Sequence, residues 1–211
     1  MSACKIRSYN YVRAEIFGKK PTRVNRIISK RSSPQVHAEH EFSARYSSVS
    51  FSATRQDNCK CARFKLICYS HERERWDTVI VPMTDIEEDM AWLRACVMAD
   101  LPIDWLNNFY MRLPESYLRP NRNYYGDNAV PYDLVGQLCH AFKVKLWEPS
   151  KIKTWCSKAV AKVAGEGRKD FIEFLEGFDL TDELRPDQLD MMARYFFDVE
   201  PKELAFGAAG P

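Results

Sequence analysis

The residues best suited to chemistry in this chain are a cysteine and a histidine far apart in sequence, Cys156 and His37. Cys156 lies in the stretch 153–165, KTWCSKAVAKVAG, where Ala159, Val160 and Val163 recur at helical spacing. Thr154 is a residue type that caps helices, so the pattern predicts a helix beginning near Trp155 and Cys156. A thiol in the first turn faces the positive end of the helix and its unpaired N–H groups. Both favour the nucleophilic thiolate, and the same N–H groups can hold an oxyanion. Taken alone, a cysteine in such a place is more often a small buried hydrophobe. His37 lies in 35–42, QVHAEHEF, which alternates after Pro34 and reads as a strand. On a strand, residue i+2 shares a face with residue i, so Glu39 stands beside His37 and His40 points away. An imidazole brought against the sulfur would serve as its base.

These two residues need a frame to meet. The chain has 211 residues, room for one sizeable core. A hydrophobic share of 45%, a charged share of 28% and 13% aromatics describe a globular chain and exclude a disordered one. Net charge is only +2, which gives no general nucleic-acid-binding signature. Residues 1–31 nonetheless carry nine Lys or Arg against the single acid Glu15. This basic stretch is either a solvated face or a contact for an acidic partner, an anionic lipid or phosphate. No secretory leader and no membrane-length apolar run is visible. Seven cysteines form an odd set without a regular framework, so reduced thiols in a soluble, cytoplasmic product are expected.

The first half of the chain reads as about five strands, at 23–29, 35–42, 48–54, 63–69 and 76–81, the last stopped by Pro82. The period then changes. Thr84 and Glu87 have capping-box spacing, and Met90, Leu93, Val97 and Met98 predict a helix running to about Ala99. Residues 101–131 read as a long irregular loop, of the kind that is usually functional or inserted. Helical patterns follow from Tyr132, over 153–165 with Gly165 as a natural stop, and over 169–178 and 185–197. The expected fold class is α+β, an antiparallel sheet packed against the helix that bears Cys156. The expected organisation is a basic segment over 1–21, one domain over 22–200 and a flexible tail over 201–211.

The order of motifs resembles the circularly permuted, NlpC-type branch of the papain-like superfamily, including short viral and bacterial members. The likeness runs over roughly 22–195. It is carried by Gln35-Val36-His37-Ala38-Glu39 and the serine strand 48–54. After these come Trp76-Asp77-Thr78-Val79, Tyr132-Asp133-Leu134-Val135-Gly136, Trp155-Cys156-Ser157-Lys158 and Leu184-Arg185-Pro186. The resemblance implies a cysteine-dependent hydrolase or acyltransferase with a permuted papain-like fold. Cys156 would be the nucleophile and His37 the base and then the acid. Glu39 is the first candidate for the group that fixes the imidazole, and Ser52 the second. Related members carry an acid where Ser52 stands and often Glu where Lys158 stands, two departures from the pattern. Tyr132, Asp133, Ser52 and Trp155 would line the substrate side. A cell-wall peptide or a viral protein bond would be a natural substrate, in a host cytoplasm or a virion. The alternative is a non-enzymatic virion or assembly protein with a vestigial cleft, its basic segment against another protein.

A competing constellation is Cys59, Cys61, Cys68 and His71, soft ligands that could hold zinc. Their spacing matches no zinc motif with a mechanical rationale, and unrelated reduced thiols are the expected reading. No metal and no cofactor is therefore expected.

Overall fold

A computed structural model describes residues 2–10, 35–55, 58–66, 75–107, 122–134, 153–180 and 184–198. Its strands are β1 (Ser2–Asn10), β2 (Gln35–Glu41), β3 (Ser50–Ala53), β4 (Ala62–Lys65), β5 (Trp76–Met83) and β6 (Asn123–Tyr124). They form one open sheet in the order β5-β1-β2-β3-β4-β6, every neighbouring pair antiparallel. The helices are α1 (Asp85–Ala99), α2 (Cys156–Gly167), α3 (Lys169–Glu176) and α4 (Pro186–Ala193), the last continued by a π-helical turn, Arg194–Asp198. The fold is α+β. Among the described residues, no helix is long and apolar enough to cross a membrane.

β1 was expected to be part of a basic segment outside the domain; it is instead a strand inside the sheet, flanked by β2 and β5. Cys4, Ile6 and Ser8 alternate into the core, which is the strand period hidden among polar residues. Its cations are already engaged. Lys5 Nζ lies 2.8 Å from Glu41 Oε1, and Arg7 bonds the same carboxylate and Thr78. These two charges are therefore committed to the fold rather than to an external partner. The strand expected at 23–29 lies outside the described residues, as do the tail 201–211 and most of the helix opened by Tyr132.

β5 does not stop at Pro82 but continues to Met83. It is an edge strand, bonded only to β1, so the missing N–H of proline costs no ladder bond. The irregular span 101–131 contributes β6, which pairs Tyr124 with Phe64 of β4.

Thr84 and Glu87 close the capping box expected for α1. The buried side of the helix differs from expectation. Ala91, Trp92, Ala95, Cys96, Met98 and Ala99 face inward, while Met90, Leu93 and Val97 are exposed. Apolar residues occupy both faces here. The face rich in alanine is the one that approaches closely, and α1 runs along α2 through it. Gly165 does not stop α2. A Cβ there would stand 2.7 Å from Ile172 Cβ, so the missing side chain permits contact with α3. Beneath the helices lies an aromatic seam in which Trp92 meets Phe42, Phe64 and Trp105 at 4.9–6.0 Å between ring centroids.

Candidate active site

α2 begins at Cys156, and its N-cap is Trp155 in an extended backbone with no side-chain cap. Thr154 does not cap the helix, contrary to expectation. It sits in a parallel bridge with Tyr132, its N–H donating to Pro131 O at 3.0 Å and its carbonyl accepting from Asp133 N–H at 2.8 Å. The helix tip is pinned from the other side as well. Trp155 Nε1 and Ser157 Oγ both donate to Leu184 O, at 2.9 and 2.5 Å. Val160, Val163 and Ala164 are buried in the core, and α2 crosses β2 and β3. Cys156 is thus held at the end of an element with little freedom to shift.

β2 supplies the imidazole. His37 Nε2 donates to Glu39 Oε1 at 2.8 Å, which leaves Nδ1 as the other ring nitrogen, and Cys156 lies near enough to act on the charge of the ring. Burial pushes the His37 imidazolium toward losing its proton. Its interactions with Cys156 and then with Glu39 outweigh this and raise its pKa to about 9. Trp76 packs edge-on to His37 at 6.3 Å and against Tyr9 at 5.0 Å, closing the site on the β5 side.

Glu39 is only 1% exposed and is gripped by Arg63 of β4, whose Nη1 and Nη2 donate to its two oxygens at 2.7 and 2.5 Å. Burial favours the neutral acid. The Arg63 charge and hydrogen bonds, followed by those of His37, reverse that and hold the carboxyl at about 2. Arg63 carries no motif, which is why sequence reasoning missed it. The one available signal was an arginine inside a strand, next to the core residues Ala62 and Phe64.

Cys156, His37 and Glu39 are therefore brought together. Ser52 is not on the imidazole: its Oγ donates to Ala38 O at 2.5 Å and the residue is fully buried. Trp155 is buried and anchors the helix tip. Tyr132 and Asp133 stand beside the chain that leads into Cys156, Tyr132 half-buried and Asp133 buried. Lys158 is buried too, with Nζ 5.4 Å from the Trp155 ring centroid. His40 points into the core, away from the site. Access is uneven. Cys156 is 1% exposed, whereas the His37 side chain keeps 18% of its surface open, so the site faces solvent on the histidine side.

Among the described residues no group of three His, Cys, Asp or Glu is arranged to hold a metal. Cys59 and Cys61 do lie with sulfurs 3.5 Å apart, while Cys68 and His71 fall outside the described residues. Comparison of the chain with family models, with curated proteins and with solved structures gives no match in any of the three.

Proposed function

We propose that this chain is a cysteine-dependent hydrolase or acyltransferase of the permuted papain-like kind, acting on an amide, isopeptide or ester bond. The observation that carries the reading is the grouping of Cys156, His37 and Glu39, with a thiol at a helix tip beside an imidazole held by a buried carboxylate. The Cys156 sulfur attacks the carbonyl carbon. The proton on His37 Nδ1 passes to the leaving nitrogen or oxygen, leaving a thioester on Cys156. His37 then takes a proton from water, or from an acceptor amine or alcohol; that nucleophile attacks the thioester carbon, the C–S bond breaks, and the Cys156 sulfur is released unprotonated beside His37, which again carries its Nδ1 proton. N–H groups in the first turn of α2 are suited to the oxyanion. Glu39 keeps the ring in the tautomer and orientation that aim Nδ1 at the sulfur.

A second reading is a non-enzymatic virion or assembly protein with a vestigial cleft. One observation favours it, the near-complete burial of Cys156. An electrophilic thiol probe with a peptide-like arm separates the two. The hydrolase reading expects Cys156 to label first among the seven cysteines, and Cys156→Ala to abolish that labelling. Equal labelling of all seven would instead support the vestigial cleft.

A further inference from the structure

We propose that Arg63 is a positioning residue for the Cys156–His37 pair, reaching across β3 over Ser52 to fix the carboxylate of Glu39 that orients the imidazole. The inference rests on the thiol-site reading above and adds a fourth member to it.

The sheet order makes the contact unusual. Glu39 lies on β2 and Arg63 on β4, with β3 between them. Two strand spacings, about 9.5 Å, separate their backbones. Arg63 is the cross-strand partner of Ser52, and the β2–β3 register that sets His40 opposite Phe51 brings Ser52 next to Glu39. A guanidinium can cross that row only if the residue beneath it is small. Ser52 is small, and its hydroxyl is turned away onto Ala38 O. The buried serine that the sequence offered as a third catalytic member thus acts as a gap.

The grip itself is two-pronged, Nη1 on Oε2 and Nη2 on Oε1. Oε1 is also the oxygen that receives His37 Nε2, so rotating the Glu39 carboxylate would break three bonds together. A bidentate guanidinium fixes the carboxylate plane as well as its charge, which a lysine ammonium cannot do. Two further cations on this face, Arg7 and Lys5, bond Glu41. Arg7 of β1, cross-strand from Glu39, also bonds Thr78. Trp76 of β5 packs edge-on to His37, Tyr9 of β1 lies cross-strand from it and against Trp76, and Cys156 approaches from α2. Arg63 is the cation that holds Glu39, and Glu39 is the acceptor that holds the ring.

The test reads the His37 Nε2–H resonance and the pH profile of Cys156 alkylation by iodoacetamide in Arg63→Met, Arg63→Lys, Ser52→Ala and Ser52→Leu, each with its melting temperature. Arg63→Met should lose the sharp Nε2–H signal and slow Cys156 alkylation at pH 6 about tenfold, a change of about 1.4 kcal/mol in barrier. Its Glu39 carboxyl should titrate at least one unit higher. Arg63→Lys should recover part of the rate, Ser52→Ala all of it, and Ser52→Leu should behave as Arg63→Met by filling the gap. A folded Arg63→Met or Ser52→Leu protein with an unchanged Nε2–H signal and a rate within twofold of wild type would overturn the inference. If Arg63→Met does not fold, Arg63→Lys and Ser52→Leu decide the matter. Uniform alkylation of all seven wild-type cysteines would count against the hydrolase reading alone, because the Nε2–H signal still reports whether Arg63 orients His37.

Discussion

Two histidines on one strand, three residues apart, have opposite surroundings. His37 lies on the face of β2 that carries Glu39 and Glu41, bonded to Glu39, acted on by Cys156 and held up to about 9. His40 lies on the core face, fully buried, edge-on to Phe42 at 4.7 Å and cross-strand from Ile6 and Phe51. Neither of its ring nitrogens has a hydrogen-bond partner among the described residues, and burial pushes it down to about 3. The residue type is the same, so the difference is made entirely by what each face presents. One ring is kept charged by partners, and the other is kept neutral by their absence.

The comparison has consequences for stability that substitutions can break. The largest concerns His40. The unfolded chain binds this proton near pH 6.5 and the folded chain only near 3, so stability falls as pH drops across that window. The loss is about 1.4 kcal/mol per pH unit, or roughly 4–5 kcal/mol by pH 3. Urea unfolding of His40→Phe should lack this acid slope; an identical slope in both proteins would mean the ring is not buried neutral.

Next comes Glu39→Gln, which leaves the Arg63 guanidinium buried without its counter-charge and should cost about 3–5 kcal/mol at neutral pH. Calorimetry checks this, and a loss under about 1 kcal/mol would mean that water reaches the pair. His37→Gln has a smaller effect with the opposite pH sign to His40. The raised His37 contributes stability below about pH 6.5 that is lost as pH rises through about 9, roughly 3 kcal/mol in all. The variant should therefore show a flat alkaline limb. Smallest is Ser52→Ala, about 1 kcal/mol for one hydrogen bond to Ala38 O, with no change in either histidine.

The parts of the fold that could be read in the sequence were those governed by local chemistry. Alternation placed His37 and Glu39 together and turned His40 away, and the Thr84–Glu87 spacing marked the start of α1. The start of α2 near Cys156 was read from Thr154 as its cap, and the helix does begin there although Trp155 holds the N-cap position and no side chain caps it. The parts that could not be read depend on neighbours distant in the chain. β1 looked like a basic tail because the acid that neutralises Lys5 and Arg7, Glu41, is far along the sequence. The outward face of α1 is as apolar as a core face, and only the packing of α2 on its alanines decides between them. Arg63 acquires meaning only when β2, β3 and β4 lie side by side.

The most direct measurement is the titration of His37 by NMR in the wild-type chain and in Cys156→Ala. Contact with the sulfur predicts a wild-type midpoint near 9 that falls clearly when the thiol is removed, because Cys156 is the first of the partners that raise it. A midpoint near 6.5 in both proteins would show that the two side chains do not meet, and the thiol chemistry proposed for this site would go with it.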